Sequence, residues 1–437
     1  MYPIQKIPSW QNWSKNVQCN PLAILYPRNE AEVIEIIRQA KAEGRRIRVV
    51  GNGHSFSAVN ATNQLMLSLE QMQGLISIDE QKEEASCYAG TSINRLNKEL
   101  FDKGWNIINL GDIDVQSIAG ATATGTHGTG RRFGNVSSQI TAFTLVTADE
   151  EILHCSATEN SDLFEAGRVS LGVLGIITQI TLKITPAYKL EYVAKKGKLA
   201  ETLEKLEEYN ADNRNFEFYW FPYTKTVQLK FSNETQDKIK DNPTMRYINQ
   251  HVMENGLLSA FCFIGKKIPI SYSILSKLIG WGATSERKIN HSHLVYATPR
   301  YVRFKEMEYN IPLENFKEAM MRVVEKIHAA HYRVYFPLEC RFVKGDDLWL
   351  SPAYHRDSAY IAFHVDHRTP HNPYFKDMEA IMMEYDGRPH WGKMHTRQAE
   401  NLSTTYPMWG TFQQMRMQLD PEGLFMTDYT EGLMGVF

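Results

Sequence analysis

Glu339 and Arg341, two residues apart, are the pair in this sequence best placed to act together. Tyr332 to Phe342 alternates strictly, which predicts a strand. Val334, Phe336, Leu338, Cys340 and Phe342 fall on one side; Arg333, Tyr335, Pro337, Glu339 and Arg341 fall on the other. At this spacing the two residues are neighbours on a single face, roughly 6–7 Å apart along the strand. A solvated face with an incidental ion pair is the plain alternative. Three neighbouring features weigh against it. Gly345-Asp346-Asp347-Leu348-Trp349-Leu350-Ser351-Pro352 follows directly. A second predicted strand, Ser358–Asp366, sets Tyr360, His364 and Asp366 on one face. Arg388-Pro389-His390-Trp391-Gly392-Lys393 then closes the region with an imidazole and an ammonium group.

A second cluster lies near the start. Arg46 to Val50 reads as a strand that runs into Gly51-Asn52-Gly53-His54-Ser55-Phe56-Ser57. The two glycines permit positive φ and leave backbone N–H groups uncovered, which suits a pyrophosphate. Gly-x-Gly alone is more often an ordinary strand-to-loop turn, and the histidine within it shifts the balance. Further on, Asn109 to Gly130 is dense in Gly, Ala, Ser and Thr and ends in Gly125-Thr126-His127-Gly128-Thr129-Gly130. Its backbone can approach a flat ligand closely, and its small apolar residues outnumber its charges, unlike a flexible linker.

These two glycine motifs together resemble the FAD-binding module of the vanillyl-alcohol-oxidase type flavoproteins. The order Glu-x-Arg, Leu-Ser-Pro, His-Trp-x-Lys, with Leu419-Asp420-Pro421-Glu422-Gly423-Leu424-Phe425 at the end, is similar to the aldonolactone and alditol oxidases over nearly the whole chain. The resemblance implies an α+β, two-domain FAD-binding fold with a cap domain carrying an antiparallel sheet. It implies FAD held by Val50, Gly51, Asn52, Gly53, His54, Ser55 and Phe56. Along the small-residue stretch it adds Gly111, Ser117, Gly120, Thr124, Gly125, His127 and Gly128, and on the adenine side Ile176 and Ile177. Glu339, Arg341 and Lys393 become the catalytic residues, with Ser117, His364, Asp366 and His390 around the substrate. Arg341 and Lys393 would bind the reacting hydroxyl and stabilise the charge of the reduced ring, while Glu339 polarises a hydroxyl. In members with a covalent flavin the histidine of the first motif is bonded to the ring, and His54 stands in that place. No cysteine matches the second link of bicovalent relatives, so one bond is expected.

The activity implied is oxidation of an aldono-1,4-lactone such as L-gulono-1,4-lactone, with molecular oxygen as acceptor and an ascorbate-type product. An alditol oxidase and a lactone dehydrogenase with another acceptor remain open. Alditol oxidases place a histidine and a hydroxyl residue on the strand after Leu-Ser-Pro, where this chain has Ala362, His364 and Asp366.

The elements that must position these groups are legible in outline. Asn29 to Gly44 predicts a helix, with Asn29 as N-cap, Glu32 completing a capping box and Gly44 as stop. Strands are expected at Leu65–Leu69, Leu75–Asp79, Ala85–Ala89 and Phe216–Tyr223, and a hairpin pairs Gln139–Thr147 with Glu151–Cys155. Another strand runs from Gly175 to Pro186. Helices are expected at Ile93–Lys103, Ser161–Arg168, Lys198–Asn210, Pro312–Ala330 and Phe375–Tyr385. Ser232–Asn242 reads as an exposed excursion. The pattern change at Pro186 divides the chain into residues 1–186 with 395–437, a cofactor domain, and 187–394, a cap.

Composition narrows the partners. Hydrophobic residues at 43% and charged residues at 22% suit a soluble globular chain, and a net charge of −2 without a basic stripe argues against nucleic acid. Cys19, Cys87, Cys155, Cys262 and Cys340 are scattered without metal spacing, which predicts reduced thiols, a cytoplasmic setting and no metal site. The first fifteen residues lack a signal-peptide core. The apolar window Leu257–Trp281 is broken by Lys266, Lys267, Pro269 and Lys277, too short of apolar length to span a membrane, though it could touch one.

Overall fold

The computed structural model describes residues 9–241, 272–282, 285–298 and 300–435. Most of the apolar window at 257–281 lies outside them. Among the described residues no helix is long and apolar enough to cross a membrane.

Two short strands, β1 (Trp10–Gln11) and β2 (Gln18–Cys19), pair near the start. A parallel sheet follows, in the order β3 (Ala23–Leu25), β5 (Leu65–Ser68), β4 (Ile47–Val50). Helix α1 (Glu30–Ala42) supplies the crossover between β3 and β4. Its Asn29 cap accepts from the Glu32 amide at 2.9 Å, but the Glu32 carboxylate bonds Arg28, so the capping box is only half formed. Val33, Ile36, Ile37 and Ala40 are its buried stripe.

An antiparallel sheet stacks behind. It is built from β6 (Leu75–Asp79), β7 (Glu84–Tyr88), β8 (Trp105–Ile107), β9 (Ile140–Val146), β10 (Ile152–Ser156) and the long β11 (Ile176–Pro186). Its order is β10-β9-β11-β7-β6, with β8 on the far end of β11. Helices α2 (Ile93–Phe101) and α3 (Ile118–Ala123) close this half. The C-terminal helices at Ala399–Thr405, Trp409–Leu419 and Asp428–Met434 return to it: Leu402, Tyr406, Trp409, Phe412 and Leu433 share one core with Leu96, Phe143, Val169 and Ile180. The Asp420 carboxylate accepts from the Leu424 and Phe425 amides, and the turn so formed offers the Leu424 carbonyl to Ile47 N.

The middle of the chain forms one antiparallel sheet of eight strands among the described residues. These are β12 (Lys189–Lys198), β13 (Asn215–Trp220), β14 (Thr226–Thr235), β15 (Glu286–His291), β16 (Phe304–Pro312), β17 (Leu338–Val343), β18 (Ser358–Asp366) and β19 (Arg388–Pro389). They run in the order β15-β12-β14-β13-β17-β18-β16-β19. One face is apolar: Phe216, Phe218, Leu229, Met307, Ile311, Cys340, Phe342, Ile361 and Phe363 pack under the helices Phe316–Ala330 and Tyr374–Glu384. The other face carries the polar residues and turns to the first half of the chain.

Several boundaries differ from the sequence pattern. The strand expected over 332–342 exists only from Leu338. The preceding helix ends at His331 in the left-handed region (φ 50°), the chain turns tightly through Tyr332, and Pro337 has no amide hydrogen to give a ladder. Tyr335 and Phe336, assigned to opposite faces by alternation, are both buried with Leu275. Pro312 ends β16 instead of starting a helix, which begins at Phe316 after a short 3-10 turn. Lys198–Asn210 breaks at Lys205 into two short helices. Ser232–Thr235 belong to β14 and are not an excursion.

Candidate active site

The Gly51–Ser55 turn opens a cleft whose empty space is about 930 Å³, including its solvent-open part. Val50, Gly51, Asn52, Gly53, His54, Ser55, Ser117, Gly120, Thr124 and Ile177 line it. The walls are close because the side chains are absent. A Cβ on Gly51 would collide with Ser117 Oγ, and one on Gly120 would stand 2.8 Å from the same oxygen. Ser117 itself caps α3, accepting from Gly120 N at 3.3 Å. Arg48, read only as strand interior, also lines the cleft. Its guanidinium is fully buried and meets four carbonyl oxygens, of Val59, Leu171, Gly172 and Phe425. No carboxylate neutralises it within ion-pair distance among the described residues, so its charge is met by carbonyl oxygens beside the cleft. Apolar Leu69, Ala89, Ala119 and Ile177 also line it, together with polar Ser68, Glu70 and Gln116. Backbone amides, a buried cation and apolar wall residues fit the diphosphate and rings of FAD.

Gly111, Gly125, Gly128, His127, Phe56 and Ile176 do not line that cleft. Ile176 is fully buried in β11, and Gly111 and Gly128 press against the His127 and Leu110 carbonyls. His127 points the other way, into the large sheet: its ring stacks on Tyr360 at 3.6 Å between centroids. The small-residue stretch therefore has two sides, one for the cleft and one for the sheet.

Register builds the sheet side. Directly opposed residues share a face, and the pairings Lys230–Glu217, Glu217–Arg341, Arg341–Tyr360, Tyr360–Asn310 and Asn310–Arg388 make one cross-strand row. The next row reads Gln228, Tyr219, Glu339, Ala362, Glu308. Beyond it, Glu306 opposes His364. Arg341 sits at the centre. It bonds Glu217 through Nε at 2.9 Å, stands 3.2 Å from Asp112 and contacts Glu339 directly. That last contact is a charge contact off the hydrogen-bond line, since Glu339 Oε1 has no aligned donor. Asp112 arrives from the small-residue stretch and also pairs with Arg300.

The cleft and the sheet face meet at the loop that carries Lys393. Phe56 N donates to the Gly392 carbonyl at 2.6 Å, Ser57 Oγ to the Trp391 carbonyl at 2.8 Å, and Lys393 Nζ lies 5.0 Å from the Phe56 ring centre. His54 is covered on one side by Trp13, stacked at 5.8 Å. Lys393 Nζ reaches Glu306 at 2.5 Å and stands 3.9 Å from Glu308. The structure thus gathers Glu339, Arg341, Lys393, His364 and His390 with His54 and Ser117 nearby. Asp366 is the exception: at the strand end its carboxylate is given to Arg368, at 2.9 Å from both Nε and Nη2.

Burial and neighbours set the charge states. Burial, seconded by Lys393, lowers His54 to about 4, so its imidazole is neutral and has a free lone pair at neutral pH. Burial pushes Glu339 up to about 7; Arg341 opposes the rise, and Asp112 and Glu217 add to it. Burial would also discharge Lys393, but Glu306 and Glu308 outweigh it and hold the ammonium above its ordinary range. His390 is lowered to about 3, mainly by burial. His127, Glu308 and His390 bring one potential ligand atom each within 4.8 Å of one another. Gly392 N donates to His390 Nδ1 at 3.0 Å, which takes one lone pair and leaves the ring proton on Nε2. His127 Nε2 lies 3.2 Å from Glu308, and the Lys393 ammonium stands 3.9 Å from the same carboxylate.

Four acids at the centre, Asp112, Glu217, Glu306 and Glu308, escaped the sequence reading. Phe304 to Ile311 carries the same i, i+2 signal as Glu339 and Arg341: Glu306, Glu308 and Asn310 alternate with Met307, Tyr309 and Ile311.

Comparison with known proteins places this geometry. Residues 21–156 match the FAD binding domain model, and residues 180–433 match the D-arabinono-1,4-lactone oxidase model. An L-gulono-1,4-lactone dehydrogenase of Mycobacterium tuberculosis is 39% identical over 98% of this chain and 99% of its own length. The L-gulonolactone oxidase of Mus musculus is 30% identical, with 97% of each chain covered. Among solved structures, cholesterol oxidase from B. sterolicum superposes with a TM-score of 0.84 over 98% of this chain and 96% of that one, at 17% identity. The fold is therefore the two-domain vanillyl-alcohol-oxidase type, and the chain binds FAD as an oxidoreductase. It belongs to the D-arabinono-1,4-lactone oxidase family.

Proposed function

We propose that this protein oxidises an aldono-1,4-lactone of the L-gulono-1,4-lactone kind at C2. The observation that carries the reading is the convergence of Arg341, Lys393 and Glu339 on a sheet face joined to the His54 turn through Gly392. FAD, when bound, would supply the hydride acceptor and the route by which two electrons reach molecular oxygen to give H2O2. Arg341 and Lys393 bind the reacting hydroxyl and offset the negative charge that accumulates beside them as the C2–H bond breaks. Glu339 orients a neighbouring substrate hydroxyl, and His364 and His390 line the same face. The hydroxyl proton leaves to a nearby base, and the resulting 2-keto lactone enolises to an ascorbate-type product. Residues 1–186 and 395–437 hold the cofactor in this reading, and residues 187–394 hold the substrate.

His54 carries FAD covalently through the 8α-methyl group of the ring. The support is a neutral, buried imidazole, fixed by Trp13 in the turn that lines the cleft. Acid precipitation should leave the yellow colour with the protein and add one FAD to its mass, and His54→Ala should bind FAD reversibly. Colour that washes out of the denatured wild type would refute the link.

A second reading, a dehydrogenase using another acceptor, is favoured by the name of the 39% identical relative. Anaerobic mixing with a panel of aldonolactones and polyols, followed by flavin absorbance, identifies the substrate. Admitting oxygen then separates the two readings: rapid return of the absorbance supports the oxidase, and persistent bleaching supports the dehydrogenase.

A further inference from the structure

Lys393 lies at the centre of a five-member chain that runs His364, Glu306, Lys393, Glu308, His127. The two ends mirror each other. His364 Nδ1 is 3.1 Å from the Pro337 carbonyl, and its Nε2 is 3.5 Å from Glu306 Oε1. His127 Nδ1 is 2.8 Å from the Gly128 carbonyl, and its Nε2 is 3.2 Å from Glu308 Oε1. A carbonyl oxygen only accepts, so each Nδ1 carries a proton. Each Nε2 then faces a carboxylate, and two lone pairs in contact repel, so a second proton must sit in each bridge. Burial raises the Glu306 carboxyl, but Lys393 and His364 outweigh it and hold it below its ordinary value. Burial also raises Glu308, and His127 and Lys393 outweigh that too. Burial would discharge His364, but Glu306 outweighs it and holds the imidazole above its ordinary value, so that bridge proton belongs to the imidazole, and Lys393 lies between two carboxylates.

We propose that Glu306 and Glu308 are positioning residues for Lys393, and that with His364 and His127 behind them they keep its ammonium charged at the junction of cleft and sheet. The inference rests on the reading that Lys393 faces the bound cofactor. A buried lysine left to itself loses its proton readily. Here the groups around Lys393 are Glu306 and Glu308 from β16, His364 from β18, Asp112 and His127 from the small-residue stretch, His390 from its own loop, and His54 with the Phe56 ring from the turn. Of these, Glu306 and Glu308 are the carboxylates within 4 Å of its nitrogen. Each is contacted from behind by a histidine, so neither needs to recruit Arg341.

The test follows the reduction potential of FAD in the holoenzyme against pH, with chemical reduction so that no substrate enters. Loss of the Lys393 charge appears as a break in that curve. Glu306→Gln and Glu308→Gln should each move the break at least one pH unit lower than in wild type. Lys393→Arg in either background should remove it, because a guanidinium stays charged. If both amide variants trace the wild-type curve, or the arginine leaves the shifted break in place, the proposal is wrong. An independent measurement uses wild type alone: ¹⁵N spectra of the His364 side chain followed against pH should show its second ring proton lost at a higher pH than in a free imidazole. Loss at or below the free value would equally overturn it. A lactone panel that fails while the break shifts as expected would unseat the substrate reading and leave this one standing.

Discussion

The cofactor cleft and the sheet face are built from opposite materials. The cleft is a matter of space: glycines, Ser117 and uncovered amides, where a single Cβ meets an oxygen. The sheet face is a matter of charge, with Arg341 among three carboxylates and Lys393 between two. A site made of backbone tolerates a change of charge at its rim but not a change of volume. A site made of paired buried ions tolerates neither partner's removal, because the survivor is left uncompensated. The difference says which kind of substitution each half should feel.

The largest effect belongs to the charged half. Arg341→Ala removes the cation from the centre of the row and should slow flavin reduction by a factor on the order of 10²–10³. Arg341→Lys should not recover wild-type rates, since an ammonium cannot reach Glu217, Asp112 and substrate with one planar fork. Stopped-flow bleaching with the best lactone decides it. Reduction within a few-fold of wild type in the alanine variant would break the comparison at its strongest point.

Gly51→Ala addresses the other half. Overpacking of this kind costs about 1–3 kcal/mol, which corresponds to a loss of FAD affinity of about five- to a hundred-and-fifty-fold. Affinity is read on the His54→Ala background, where binding is expected to be reversible. Adding Ser117→Ala removes the oxygen that the new Cβ meets, so the double variant should regain most of the loss. Failure of that rescue would show that the glycine serves something other than close approach.

The smallest effect is a pH dependence of stability. Glu339 is pushed up to about 7, above the value of a free glutamate near about 4.3. Stability tied to its protonated form is complete below that free value and lost as pH rises through 7. Glu339→Gln abolishes the loss, so its melting temperature should gain on wild type between pH 5 and pH 8, by on the order of 2–4 °C. An unchanged difference across that range would mean that Arg341 keeps the carboxylate ionised throughout.

The two halves were also unequally legible in the sequence. The His54 turn declares itself because its signals are local: strand, glycine, histidine and small residues within a few positions. Glu339 and Arg341 were found by alternation on one strand, although that strand starts at Leu338 and is buried on both faces. Glu306 and Glu308 carry the same alternation, but their importance comes from register, which sets Glu306 opposite His364 across the sheet. Asp112 and Glu217 give less still: one sits in a loop read as flavin contact, the other in an aromatic strand. Strand order, which a single sequence does not state, is what assembles these acids around Arg341. Conversely, His127 was assigned to the cofactor because it lies in a glycine motif, whereas its ring turns to Glu308 and Tyr360.

The junction at Gly392 bears on how the holoprotein comes to exist. The turn that carries His54 is made early in synthesis, yet Phe56 N and Ser57 Oγ bond to Gly392 and Trp391, which the ribosome adds when most of the chain is already outside. Trp13, the lid over His54, stacks at the same time on Phe304. The seat for the cofactor is therefore closed only when segments more than three hundred residues apart have come together.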